Sequence, residues 1–433
     1  MRKLLSKILL FFIIATSFTS VQANAVPYLE AEGVVLMDGK TGEVLYSKNP
    51  DTQFLPASTT KVMTALVVLE RTKLTDKVTV GEKPPYADGS SIGITAGQVY
   101  TVEELLTGLL LSSGNDTAEA LAEFVAGSNA EFGKLMTEKA KELGANNTTF
   151  TNPSGLDEGG SQNLTTAYDL SLIMKAAANN ADFVRISKLE SYHYTEHPYS
   201  DGTERWAISG NRVMRSWSSW YYPYAISGKT GYTDAANHTY TAAAEKDGQV
   251  LIASFLKAKD KDAQYSSVGQ LFDYGFDNFK TIQLAKAGEV LGEYKVNDSI
   301  TIPLLADKDY YLTRKASDLP ISSSNITVKY DETDISKQPI TKGDILFKGK
   351  ILLDGEEIND ITLVSGADRE FNNEIARKEA FQEFKNNKPL FYGSIIIVLL
   401  IVLFTIISIS KAKRSRKRNY IRKKFNIKGK GRN

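Results

Sequence analysis

The sequence predicts an α+β domain followed by a smaller all-β domain and a single membrane-spanning helix. Three observations carry this. Short apolar runs separated by tight turns occur at 34–46 and again at 239–256, while the stretch between them has helical periodicity, so the two ends share one sheet around a helical insert. Beyond about residue 287 the pattern changes to strand-length runs divided by turn residues. Residues 390–409 then run for 20 positions without a charge, enough helix to cross about 30 Å of hydrocarbon.

In chain order, Arg2, Lys3 and Lys7 precede an apolar run at 8–18, and small residues follow at Ala23 and Ala25. This is the layout of a secretory signal peptide, expected over 1–25 with cleavage after Ala23 or Ala25. Runs at 34–37 and 43–46 flank Asp38-Gly39-Lys40-Thr41-Gly42 and read as a hairpin. Pro56 introduces a helical pattern through Val62, Ala65, Leu66 and Leu69, with Ser58 at its start. Thr101-Val102-Glu103-Glu104 is a capping box for a helix that ends at Ser113-Gly114-Asn115. Asp116 is expected to cap the next helix, through Leu121 and Val125, and another over 130–143 stops at Gly144. A second hairpin joins 239–244 to 250–256 through Glu245-Lys246-Asp247-Gly248-Gln249, and a helix over about 262–279 closes the domain, giving bounds of 26–282.

Strand candidates at 289–296, 299–303, 310–314, 326–330, 345–353 and 361–364 make up a β-sandwich over 283–368. Residues 369–389 are highly charged, with Ala376, Ala380, Phe381 and Phe384 on a partial apolar stripe, and read as a helical stalk. The span (390–410) and a basic tail (411–433) follow. The tail carries 12 Lys and Arg and no acid, which places it on the cytoplasmic side with anionic lipid as its partner, and the preceding domains outside the cell membrane.

The net charge of +1 hides this separation. With 3 basic residues in the signal and 12 in the tail, the body keeps 37 of the 52 Lys and Arg against all 51 Asp and Glu. A body about 14 charges negative excludes nucleic acid as its partner. The absence of cysteine removes disulfides, thiol nucleophiles and thiolate metal sites. Of three histidines, His193 and His197 stand four apart, but Pro198 follows and no Glu-x-x-His word surrounds them, so neither a zinc pair nor a Ser-His-Asp triad is supported.

Three short words remain: Ser58-Thr59-Thr60-Lys61, Ser113-Gly114-Asn115 and Lys229-Thr230-Gly231. A serine hydroxyl needs a positioned base, and a lysine three residues along one helix can reach it. Lys61 can accept a proton only if burial, its helix terminus and a second cation such as Lys229 lower its pKa. Ser113 can relay that proton to a leaving amine, and Asn115 offers an amide to a catalytic side chain and a peptide. Lys229 and Thr230 on a strand can hold a carboxylate, with Gly231 allowing close approach. The backbone amides of Ser58 and Tyr232 are the candidate oxyanion hole.

With the flanking stretches Pro56-Ala57-Ser58-Thr59-Thr60-Lys61-Val62-Met63-Thr64-Ala65, Asn152-Pro153-Ser154-Gly155-Leu156-Asp157 and Ser227-Gly228-Lys229-Thr230-Gly231-Tyr232-Thr233, the chain resembles the low-molecular-mass penicillin-binding proteins, specifically the D-alanyl-D-alanine carboxypeptidases with a β-rich second domain. The resemblance spans about residues 28–380. It implies a penicillin-binding transpeptidase/β-lactamase-like fold, removal of the terminal D-alanine from the peptidoglycan pentapeptide, covalent inhibition by β-lactams, and neither metal nor organic cofactor. It assigns Ser58, Lys61, Ser113, Asn115, Lys229 and Thr230 the roles just argued. Two departures stand out: Ala235-Ala236-Asn237-His238 differs from the usual sequence after the third word, and a true span replaces the amphipathic anchor of many relatives. A class A-like β-lactamase shares the three words, but Glu158-Gly159-Gly160-Ser161-Gln162-Asn163 lacks the Glu-x-x-Leu-Asn arrangement that activates its deacylating water. A non-catalytic cell-wall or division scaffold is the third reading.

Overall fold

The computed structural model describes residues 26–157, 162–297, 300–318 and 325–428. The expected signal peptide lies outside the described residues, as do Glu158 and its three neighbours. The chain divides into two compact units, the first reaching Leu284 and taking in the segment from Tyr310, the second comprising the rest.

The first unit is built on one antiparallel sheet of β1 (Gly33–Asp38), β2 (Val44–Lys48), β3 (Ala225–Thr233), β4 (Asn237–Lys246) and β5 (Gln249–Ala258), in the order β2-β1-β5-β4-β3. Both expected hairpins are present. The β4–β5 turn has Asp247 and Gly248 at φ 52 and 79, the left-handed pair that matches the twist of a two-residue hairpin. Strand alternation divides the sheet between two cores. Val35 and Met37 of β1 face one, which holds most of the helical insert, and Val34 and Leu36 face the other.

The insert between β2 and β3 contains α1 (Lys61–Arg71), α2 (Val102–Leu111), α3 (Asn115–Ala126), α4 (Asn129–Glu142), α5 (Ala167–Ala178) and α6 (Ala181–Ser187). The Thr101–Glu104 capping box is formed in both directions, and Gly144 takes φ 84 beyond α4, as expected. The α5 helix, for which the sequence reading gave no element, buries Leu170, Ile173, Met174 and Ala177, a helical stripe laid on the sheet. On the other face α7 (Lys261–Asn278) buries Val268, Leu271, Phe272 and Phe276. It lies so close that a Cβ on Gly275 would stand 2.6 Å from Leu251.

Two local expectations are corrected. Ser58 lies in a 3₁₀ turn, Ala57–Thr60, and the α-helix begins only at Lys61. Asp116 does not cap α3. Gly114 holds that position, and Asp116 sits buried inside the first turn because its carboxylate is taken by the backbone of residues 92–94.

The second unit contains an antiparallel sheet of β6 (Val290–Asn297), β7 (Ile300–Ala306), β8 (Ile326–Tyr330), β9 (Ile345–Leu353) and β10 (Glu356–Ser365), in the order β6-β7-β10-β9-β8. Among the described residues this unit holds that one sheet, while a second, two-stranded sheet formed within the same C-terminal stretch groups with the first unit. Irregular chain supplies the cover instead: Ile335 and Ile340, between β8 and β9, are buried, and the Ile335 amide donates to Tyr294 Oη at 3.0 Å. The strand expected at 310–314 forms as Tyr310–Lys315, but pairs with Phe279–Ala285 and joins the first unit. The stalk is helical as expected, α8 (Asn373–Asn386), and is held to its sheet by the buried Arg369, whose Nη2 lies 3.2 Å from Glu379. A single helix, α9 (Lys388–Lys428), carries the apolar run and continues into the basic tail. It is long and apolar enough to cross a membrane.

Truncating Phe272 to alanine empties the centre of the α7 core. The expected loss is about 3–5 kcal/mol for the first unit, read by denaturant unfolding followed through the fluorescence of Trp206, Trp217 and Trp220, which all lie in that unit.

Candidate active site

The site forms where the 3₁₀ turn, the α2–α3 turn and β3 meet. In a 3₁₀ turn, residues three apart are eclipsed. Ser58 and Lys61 therefore project together, and Lys61 Nζ lies 3.0 Å from Ser58 Oγ. The turn is fixed by Pro56, whose carbonyl accepts Thr59 Oγ1 at 2.6 Å and Thr239 Oγ1 of β4 at 2.8 Å. Ala57 pays for the bend with a left-handed φ of 46 and is completely buried.

Lys61 is itself fully buried, and its amine touches three oxygens: Ser58 Oγ, Asn115 Oδ1 at 2.6 Å and the Ser154 carbonyl at 2.7 Å. The Asn115 amide is oriented by its own Nδ2, which donates to the Asp88 carbonyl at 2.6 Å. Two of the three oxygens can only accept. A neutral Lys61 thus commits its two hydrogens to Asn115 and Ser154 and leaves its lone pair toward Ser58.

Lys229, on the central part of β3, is the second buried amine. It donates to Ser113 Oγ at 3.0 Å and to the Thr230 carbonyl at 2.8 Å. Ser113 adopts φ 60 at the end of α2. Ser113, expected from the sequence to relay a proton from Lys61 to a leaving amine, has its hydroxyl on Lys229 in the structure. Burial pushes Lys229 down to about 7. Burial likewise holds Lys61 well below the usual lysine range, the nearby Lys229 cation lowers it further, and Asp116 opposes both.

Thr230 is half-buried beside Lys229, and Gly231 is buried for a reason the sequence did not disclose. A Cβ there would stand 2.8 Å and 2.9 Å from the amide nitrogens of Ser58 and Thr59, and 2.4 Å from Thr239 Oγ1. Glycine lets β3 close directly on the Ala57–Thr60 turn. Tyr232, next along, turns its side chain outward, its ring 4.6 Å from and tilted against that of His238, its cross-strand partner.

Sequence reasoning missed the loop 152–157 as part of the site. Asn152 Oδ1 accepts the amides of Gly155 at 2.7 Å and Ser154 at 3.2 Å, forming the turn that aims the Ser154 carbonyl at Lys61. Asn163 ties this loop to the nucleophile turn, donating to Thr60 Oγ1 at 3.1 Å and accepting the Thr151 amide at 2.7 Å. Gly155, at φ 83, leaves no room for a Cβ, which would fall 1.9 Å from the Ala57 carbonyl. The signal was the cluster Asn152-Pro153-Ser154-Gly155, whose residue types mark a tight turn.

Residues 20–260 match the family model described as D-alanyl-D-alanine carboxypeptidase. The chain belongs to that family. Residues 279–370 match the C-terminal domain of penicillin-binding protein 5. Among relatives, D-alanyl-D-alanine carboxypeptidase DacF of Bacillus subtilis is 33% identical over 350 residues, 78% of this chain and 86% of that protein. DacC of Escherichia coli is 31% identical over 82% of this chain and 88% of its own length. Among solved structures, penicillin binding protein 5 from Haemophilus influenzae aligns with a TM-score of 0.65 at 26% identity, covering 80% of this chain and 99% of that one. The fold is therefore the penicillin-binding transpeptidase-like one expected, with the all-β domain behind it.

Two outcomes test the geometry. Gly231→Ala should displace the nucleophile turn and slow acylation of the protein by penicillin about 10²-fold, measured as the rate of adduct formation by intact-protein mass spectrometry. Lys229→Met should raise the thermal midpoint at pH 7. The sign follows from linkage: a lysine near 7 when folded and near its ordinary 10.5 when unfolded costs stability at and below pH 7, and that cost disappears as pH rises toward 10.5. The advantage of the methionine variant should accordingly shrink at high pH.

Proposed function

We propose that this protein removes the terminal D-alanine from D-alanyl-D-alanine stem peptides of peptidoglycan through an ester on Ser58. The observation that carries the reading is the 3.0 Å contact between a buried Lys61 amine and Ser58 Oγ, with Lys229 buried in the same site. Membership of the carboxypeptidase family supports it.

Ser58 Oγ attacks the carbonyl of the penultimate residue while its proton passes to Lys61. The amides of Ser58 and Tyr232 hold the developing oxyanion. Lys229 and Thr230 grip the terminal carboxylate, and Asn115 holds both Lys61 and the peptide. As the C–N bond breaks, the leaving amine takes a proton through Ser113, and D-alanine departs. Water then cleaves the ester and restores Ser58. A β-lactam enters by the same attack, but its amine remains tethered after the ring opens, so the adduct persists. The β-lactamase reading is disfavoured by the family match and by Asn163, which is committed to Thr60, Thr151 and Asn152. The same match disfavours the scaffold reading. The apolar α9 anchors the protein in the cell membrane, with the two units outside and the basic tail against anionic lipid on the cytoplasmic side.

Incubated with a D-alanyl-D-alanine peptide, the purified chain should release D-alanine, and benzylpenicillin should add one penicilloyl group to the peptide carrying Ser58. Ser58→Ala should abolish both; D-alanine release that survives in this variant would sink the assignment.

A further inference from the structure

Asp116 does more than its place in a helix requires. Its buried carboxylate gathers three consecutive backbone amides, accepting from Ile92 at 3.1 Å, Gly93 at 3.0 Å and Ile94 at 3.2 Å, and takes the Ser91 hydroxyl at 2.7 Å. Converging N–H groups of this kind form a nest around an anion. On its other side the same loop meets a buried cation. Arg205 Nη2 donates to the Gly93 carbonyl at 2.8 Å, and the guanidinium lies over the Tyr199 ring. Gly93, at φ 73, fits between them because a Cβ would meet Tyr199 at 3.0 Å. Asn115 completes the clamp through its amide to the Ser90 carbonyl at 2.6 Å and its side chain to Asp88. The exposed residues 88–91 are thereby held against the residue that also binds Lys61.

We propose that Asp116 is a positioning residue for the D-alanyl-D-alanine reaction, fixing the loop 88–94 as a wall of the substrate groove beside Asn115, the acceptor that Lys61 Nζ reaches at 2.6 Å. The charged groups that act on Lys61 are Lys229, which drives its proton off, and Asp116, which holds it on. One carboxylate thus couples the shape of the groove to the strength of the base. The inference rests on the carboxypeptidase reading above.

The test uses the full chain in detergent micelles and Asp116→Asn, with three readouts: the pH profile of acylation by benzylpenicillin, the KM and kcat for a D-alanyl-D-alanine peptide, and the thermal midpoint. With the opposing charge gone, Lys61 loses its proton more readily, so the acid limb of the profile should move down by about one pH unit. KM should rise about tenfold as the nest loosens. A merely structural residue would lower the midpoint and leave the acid limb where it was, and that result overturns the proposal. Should Asp116→Asn fail to fold, Ser91→Ala decides: it removes one contact to the carboxylate and keeps the charge, so KM should rise severalfold with an unmoved acid limb, and an unchanged KM overturns the proposal. Failure of the carboxypeptidase reading looks different, because the wild-type chain would then release no D-alanine.

Discussion

Everything at the site depends on keeping two lysine amines out of water within one small volume. An ammonium strongly resists such transfer, and the usual escape is to lose its proton. Lys61 is completely buried and Lys229 nearly so, and the acceptors around them are mostly neutral oxygens: two side-chain hydroxyls, one amide and two carbonyls. The Lys229 cation further disfavours a charge on Lys61. A site of this kind is destabilising in itself, so the stability that tolerates it must lie elsewhere. It lies in the two cores on either face of the sheet, where β1 and β5 bury almost every residue they contain.

The same logic explains the strained backbone around Ser58. Ala57 and Ser113 both take left-handed φ values without being glycine, one immediately before the nucleophile and the other opening the second motif. Such residues persist only where their surroundings over-determine them. Here the constraint is explicit: Gly155 and Gly231 bring a loop and a strand to within a missing Cβ of the same four-residue turn. Pro56 and Asn163 then secure the turn by hydrogen bonds. Ser58 has little freedom to leave Lys61, as the proposed attack by a weak nucleophile requires.

How much of this could be read from the chain follows the range of the interactions involved. The hairpins, the Thr101–Glu104 box, the Gly144 stop and the apolar α9 are written in contiguous residues, and each appeared where periodicity and turn chemistry placed it. The three motifs were legible because their residue types are tied to the reaction, and the fold brings all three together. What stayed hidden depends on partners distant in sequence. Asp116 resembles a helix cap until the amides of residues 92–94 are known to converge on it. Gly231 resembles a concession to substrate until its packing against Ser58 is seen. Among the described residues of the second unit, irregular chain carrying the buried Ile335 and Ile340 covers its five-stranded sheet, which strand alternation alone does not announce.

In the mechanism proposed above the base is an amine, which ties activity to dryness. A histidine would titrate near neutrality in open water, whereas a lysine becomes a base at physiological pH only while solvent is excluded. In this protein the exclusion is achieved by the Ser154 carbonyl and the Asn115 amide, which occupy the positions water would take around Lys61. Ser154 belongs to a turn and Asn115 opens α3 where the α2–α3 turn ends, and the two are held by side-chain contacts of Asn152 and of Asn115 itself. Loosening either turn would therefore do more than misplace a hydrogen bond. It would let water reach the amine and restore its ordinary affinity for a proton, removing the base that the proposed mechanism needs while Ser58 stays in position.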